Sequence, residues 1–312
     1  MIKMNNQEKA PDIVVVGSIV ADIPVTLPRD PMIGETLPVE SIGLTLGGKA
    51  VNQGLQALKL GEAVLIIGKV GEDVLGTWVF DQFTKRGLDT RGLLQAGMTS
   101  CAIPMILPAS QYILHIPGAN QLLTPEDIES TQDLWTAGKI LLIQGEIPVS
   151  ASIRAAQVAK RRGMVVICDP APATVMTDQL LQLADILTPN SQELSMLCNS
   201  PTLSVEEQAR QLWHRYPQLK ALIVTLGSEG ALLQTDSEMA ARIAAPSVTT
   251  LDPTAAGDAF NGALAHSLAQ GQSLYQAVEL GCCAGALAAS QKGSSISIAS
   301  LTQILEMWGE VY

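Results

Sequence analysis

Asp12-Ile13-Val14-Val15-Val16-Gly17 is a continuous apolar run closed by glycine, the form of a strand buried on both faces of a parallel sheet. Functional groups in such sheets collect at the carboxyl ends of the strands. Ser18 to Asp22 is therefore a candidate site edge, with Asp22 either a solvated turn residue or a hydroxyl-binding carboxylate. The polar residues 1–11 ahead of the run carry no apolar signal core and read as a disordered leader.

Beyond the first strand the chain is written in β–α alternation. Strands at 63–69, 139–144, 164–169, 185–188 and 221–226 are interspersed with helices at 75–85, 151–161, from 192 onward and over 205–214. Repeated units of this kind specify an α/β fold, a mostly parallel sheet with helices on both faces. Two patches break the rhythm. Ile23, Val25 and Leu27, then a turn over 28–34 and a run from Leu37 to Leu46, read as short one-sided strands; so do Cys101, Ile103, Met105 and Leu107 with Tyr112, Leu114 and Ile116. These insertions, approximately 23–46 and 99–117, are expected to build a small β-strand lid that covers the site or pairs with another subunit. The remainder, 12–312, is expected to form one domain.

The composition narrows the function. The net charge of −11, from 30 acidic and 19 basic residues, argues against a nucleic-acid or anionic-membrane surface, so an anionic substrate needs a local site. Five cysteines without a CxxC pair read as reduced core residues of a cytoplasmic protein. Three histidines without ligand spacing point away from zinc. The longest apolar helical run, 277–289, contains Glu279 and is too short to span a bilayer.

The stretch Leu251-Asp252-Pro253-Thr254-Ala255-Ala256-Gly257-Asp258 passes from turn chemistry through small residues into the helical pattern Ala259, Phe260, Ala263, Leu264. A small-residue loop opening a helix aims unpaired N–H groups at one point and binds anions, typically phosphate. Asp258 at that place is either an ordinary helix cap or a base that takes a proton from a group attacking the phosphate. Gly47-Gly48-Lys49-Ala50-Val51-Asn52-Gln53 opens another helix. Gly43, Gly48 and Lys49 have P-loop spacing, but Ala50 lacks the magnesium-binding hydroxyl, and no GxGxxG follows the first strand, which weakens a dinucleotide-dependent oxidoreductase. The double glycine instead permits close approach to a ligand, and Asn52 can point an amide at hydroxyls. Glu146, Asn190, Glu193 and the run 225–228 follow strands, where a turn or cap role competes with ligand binding. Gly281 and Gly285 allow close helix packing or close approach to a nucleobase.

Together these residues resemble one family over nearly the whole chain, the ribokinase-like (PfkB) carbohydrate kinases. The 47–52 element is similar to the family's amino-terminal signature, and 252–258 to its carboxyl-terminal one. Gly34-Glu35-Thr36 in the lid matches ahead of them, and Gly118-Ala119-Asn120, 144–146, Asp169-Pro170-Ala171-Pro172-Ala173, Thr188-Pro189-Asn190 and 225–228 match in order between them. The resemblance implies a ribokinase-like three-layer α/β/α fold and an ATP- and magnesium-dependent kinase for a primary hydroxyl of a small sugar. It makes Asp258 the general base, with the N–H groups of Ala256, Gly257 and Asp258 as anion hole. Asp22, Gly48, Lys49, Asn52 and Glu146 would face the sugar. Asn190 and Glu193 would organise Mg2+ and its waters, Thr225, Gly227 and Ser228 would line the nucleotide side, and adenine would lie near Cys282. Asp252, the carbonyl of Thr254 and the loop around Gly293 and Ser297 would hold a monovalent cation, K+. Val20 stands where ribokinases carry a sugar-binding Asn, so ribose is not fixed as the acceptor, and Pro253 replaces the usual Thr of the signature. The alternatives are a nucleoside or keto-sugar kinase of the same fold and a catalytically silent sugar-binding regulatory protein. The exposed lid strands suggest a homodimer.

Overall fold

The computed structural model describes residues 10–108, 110–236, 240–293, 295 and 297–311. The expected leader lies outside them except for Ala10 and Pro11. In chain order, β1 (Ile13–Val16) is followed by β2 (Val20–Asp22), β3 (Val25–Thr26), β4 (Ser41–Ile42), β5 (Thr45–Gly47) and α1 (Lys49–Lys59). Next come β6 (Val64–Val70), α2 (Val74–Arg86), β7 (Leu93–Gln95), β8 (Cys101–Ile106), β9 (Gln111–Ile116) and α3 (Pro125–Thr131). The middle contains β10 (Ile140–Ile143), α4 (Val149–Arg161), β11 (Val165–Cys168), α5 (Asp178–Leu181), β12 (Ile186–Leu187), α6 (Ser191–Cys198) and α7 (Val205–Arg215). The chain continues through β13 (Ala221–Thr225), β14 (Ala231–Gln234), β15 (Ala241–Ile243), α8 (Ala256–Ala269), α9 (Leu274–Ala289) and α10 (Leu301–Val311).

Among the described residues the main sheet has nine strands in the order β15-β14-β13-β12-β11-β10-β1-β6-β7. It is parallel from β7 to β13, and β14 and β15 extend it antiparallel. The apolar run that opened the sequence lies at its centre with every residue buried. Ile13 and Val15 face a core shared with α1, α2, α8 and α9, while Val14 and Val16 face one shared with α3, α4 and α7. That alternation is the three-layer α/β/α architecture, since side chains of period two must be covered on both faces.

A second sheet, β4-β3-β8-β2-β5 with β9 paired to β8, stands beyond the carboxyl end of β1. Its first strand, Val20–Asp22, lies upstream of Ile23, where the sequence alternation begins. The elements not anticipated are β7, α3, α5, the hairpin β14–β15 and α10. In α10 a period-of-helix signal was present in Leu301, Ile304, Leu305 and Trp308. Gly281 and Gly285 serve packing: a Cβ at Gly281 would meet the Phe260 ring at 2.8 Å, and one at Gly285 the Ala256 carbonyl at 3.1 Å. No helix among the described residues is long and apolar enough to cross a membrane.

Candidate active site

The start of α8 sets the centre of the site. Its cap residue Ala255 stands at φ 64°, ψ 5°, without a side-chain cap; a non-glycine residue there is strained, and such strain concentrates at functional positions. The Ala256 N–H donates to the Pro253 carbonyl at 3.2 Å, completing the turn. Among the described residues, the N–H groups of Gly257 and Asp258 donate to no carbonyl. Of the three N–H groups expected to meet an anion, two are thus open, at the positive end of the helix. Asp258 is the third residue of the helix and not its cap.

The Asp258 carboxylate is 5% exposed, and its partners come from the opening turns of α1. Asn52 Nδ2 donates to Oδ2 at 2.9 Å, Gln53 Nε2 donates to Oδ1 at 3.1 Å, and Lys49 Nζ lies 3.8 Å from Oδ1. Residues 49, 52 and 53 share a helix face because they are spaced i, i+3, i+4. Gly48 makes this presentation possible. Its φ of 96° turns β5 into α1, and a Cβ there would meet the Ser18 carbonyl oxygen at 2.5 Å. Gly48→Ala is therefore expected to cost about 1–3 kcal/mol in a urea titration, with lost activity. A wild-type unfolding midpoint would show that the turn is not under this constraint.

Asp169, at the carboxyl end of β11, completes the centre. It accepts from Gln53 Nε2 at 3.0 Å and lies 3.8 Å from Lys49 Nζ. Burial pushes its carboxyl up to about 7, with Lys49 pulling the other way and Asp258, Glu193 and Glu146 adding to the rise. For Lys49, burial alone would favour the neutral amine; Asp258, Asp169, Glu146 and Glu193 outweigh it and raise its pKa, so the ammonium is charged at neutral pH. Asp169, Gln53 and Gln144 were not among the anticipated site residues. Their signals were a carboxylate directly after a buried strand and a polar stripe, Lys49, Asn52, Gln53 and Gln56, along a helix that is otherwise core.

A cleft opens above this centre. One wall carries Thr188, Asn190, Glu193 and Thr225; the other carries Pro253, Ala255, Gly257 and Asn261. Asn190 and Glu193 also form a capping box at the start of α6, each side chain accepting from the other's N–H at 2.8 Å, so the cap reading and the cleft reading both hold. Burial raises the Glu193 carboxyl against the Asn190 hydrogen bond and Lys49. Thr225 is fixed beside Asn190 by its N–H bond to the Pro189 carbonyl, 2.9 Å.

The remaining anticipated residues divide. Asp22 lies on β2 against Gly47, whose missing Cβ would be 2.1 Å from Asp22 Oδ2. Glu146 accepts a hydrogen bond from Ser18 Oγ, which in turn accepts from the Lys49 N–H at 3.0 Å. Gly227 and Ser228 sit in an exposed turn after β13, just beyond Thr225 of the cleft wall. Cys282 is 5% exposed and belongs to the core cluster that also holds Phe260 and Val278. The Asp252 carboxylate ties two loops together by accepting from the N–H groups of Thr254 and Gly293, each at 3.0 Å. Burial would raise its pKa, but the bonds from Thr254 and Gly293 hold it below the usual range. Ser297 is fully buried; Ser294 and Ile296 of the same loop lie outside the described residues.

Comparison with known proteins identifies the family and the fold. The family model described as pfkB family carbohydrate kinase matches residues 10–301. The chain is 32% identical over 297 residues to a ribokinase of Haemophilus influenzae, covering 94% of this chain and 96% of that one. It is 31% identical over 303 residues to a deoxyribokinase of Salmonella typhimurium, covering 95% and 98%. Among solved structures, Arabidopsis thaliana ribokinase complexed with ribose and ATP superposes with a TM-score of 0.86 at 29% identity, covering 96% of this chain and 99% of that one. A ribokinase of Thermotoga maritima gives a TM-score of 0.86 at 30% identity over the same shares.

Proposed function

The chain belongs to the pfkB family of carbohydrate kinases, and from that premise we propose that it transfers the γ-phosphoryl group of ATP to a primary hydroxyl of a small sugar, with Asp258 as general base. One observation carries the assignment: a buried carboxylate stands in the same helix turn as two open N–H groups. The N–H groups of Gly257 and Asp258 steady charge on the transferring phosphoryl group, while the carboxylate takes the hydroxyl proton. Asn52 Oδ1 and Asn261 Oδ1 are buried without a hydrogen-bond partner among the described residues; each is an acceptor suited to a hydroxyl donor.

Asn190 and Glu193 fit a hydrated Mg2+. Both are oxygen donors on the cleft wall, and magnesium keeps several waters and takes few protein ligands. The ion would neutralise phosphate charge; these residues would order its waters. Asn190, Thr225, Gly227 and Ser228 mark the nucleotide side, and Asp22, Gly48, Lys49, Asn52 and Glu146 the sugar side. The fit to K+ is poorer, because Asp252 is occupied in closing its two loops. The carbonyl of Thr254, with Gly293 and Ser297, would remain its donors. The lid suits a homodimer, since β9 pairs with β8 and leaves Tyr112, Ile113, Leu114 and Ile116 exposed.

ADP release with ribose, 2-deoxyribose, hexoses, ketoses and nucleosides tests the reading. Deoxysugars belong in that panel because Val20, at the site edge, offers no hydrogen bond to a hydroxyl. The expected result is turnover with a pentose. Sugar and ATP binding without turnover for every acceptor would instead support the silent regulatory protein.

A further inference from the structure

A second buried carboxylate, Asp169, shares its partners with Asp258. The Gln53 amide nitrogen donates to both, at 3.0 and 3.1 Å, and Lys49 Nζ lies 3.8 Å from each. The Gln53 amide cannot turn over freely. Gln144 Nε2 donates to its oxygen at 2.7 Å, which commits both Gln53 hydrogens to the carboxylates. Gln53 and Gln144 are fully buried. Gln144 is seated in turn by Gly17, where a Cβ would stand 1.9 Å from Gln144 Oε1. The ends of β1, β10 and β11 and the first turns of α1 thus converge on one relay that finishes at Asp258. Burying two like charges around one lysine is costly, and the core packing of these elements does not call for it.

We propose that Asp169 is a positioning residue for the base, acting through Gln53 and Lys49: it takes one hydrogen of the Gln53 amide and part of the Lys49 charge, so that Asp258 is held in place without facing the whole lysine charge. This rests on Asp258 being the base. The charged groups facing Asp169 are Lys49 of α1, Asp258 of α8, Glu193 of α6 and Glu146 after β10. Burial, ahead of the opposing pull of Lys49, brings Asp169 to about 7.

The test is steady-state kinetics of the full-length Asp169→Asn and Gln53→Met variants against pH, with MgATP and ribose, or 2-deoxyribose where that is the better acceptor. In Asp169→Asn, kcat is expected to fall about tenfold or more, with KM for ATP unchanged. The acid limb of kcat/KM should move to lower pH, because Lys49 then pairs with Asp258 alone and favours its charged form. In Gln53→Met, a swap of similar volume, the carboxylates lose a donor, so the acid limb should move to higher pH while kcat falls. Opposite shifts are not a signature of general loosening, and the second variant carries the test if the first does not fold. Wild-type kcat and pH profile in either variant, or reduced kcat with an unmoved acid limb, would overturn the proposal. Asp258→Asn separates the two levels. Wild-type turnover there removes the base itself, whereas an inactive Asp258→Asn beside a wild-type Asp169→Asn removes the role of Asp169 alone.

Discussion

Asp258→Asn is expected to lower kcat about 10²–10⁴-fold, the usual contribution of a positioned general base, while ATP affinity stays close to wild type. The substitution keeps the shape of the side chain but removes its capacity to take a proton. It also turns one carboxylate oxygen into an amide donor, facing Asn52 Nδ2 or Gln53 Nε2, both of which already donate; a modest loss of stability follows. The nucleotide side of the cleft, at Asn190 and Thr225, is built on β12, β13 and α6 and does not depend on Asp258. Steady-state kinetics together with calorimetric titration of ATP checks both halves. Turnover within a few-fold of wild type would remove Asp258 from the chemistry.

Lys49→Met is expected to have the next largest effect. Lys49 is the cation between Asp169 and Asp258, and both carboxylates raise its pKa against burial. A lysine whose pKa is raised on folding contributes stability that is fully present below its unfolded value, about 10.4, and that is lost only as pH rises through the folded one. Across the neutral range the whole contribution is therefore in place. Its loss leaves two carboxylates facing each other. The nearest relief is protonation of one, and Asp169, already brought to about 7 by burial, moves higher. The expected result is a kcat/KM reduced about 100-fold or more near pH 7, with the acid limb of the pH profile displaced to higher pH, so that part of the loss is recovered in alkaline buffer. An acid limb at the wild-type position would show that Lys49 does not set the charge of this centre.

Much of the architecture is legible in the chain because periodicity is a local property. The apolar run at 13–16 predicts a strand covered on both faces, and its residues divide between two cores. The helices expected at 75–85, 151–161 and 205–214 occur within two residues of those bounds. The lid strands are less legible at their edges, since Val20–Asp22 pairs with β5 and β8, partners distant in sequence. Asp169 illustrates the same limit at the site. As a residue after a strand it has many possible roles, and only the packing of α1 across the strand ends brings Gln53 to within 3.0 Å of it. Cys282 shows a related limit: on a helix buried on most sides, the sequence does not say which residues pack into the core with Phe260. Asn190 and Glu193 carry two roles at once, cap and cleft wall, which a sequence pattern alone presents as alternatives.

The central claim is that Asp258 drives attack of a primary hydroxyl on the γ-phosphoryl group. Proton-coupled 31P NMR of the product, formed from MgATP and the preferred acceptor, tests it most directly, with the Asp258→Asn variant run in parallel. The expected result is a new phosphate ester resonance split into a triplet by the two protons of a CH2–O–P group, absent from the variant. A doublet from a CH–O–P group, inorganic phosphate alone, or the same triplet growing at the wild-type rate in the variant would contradict it.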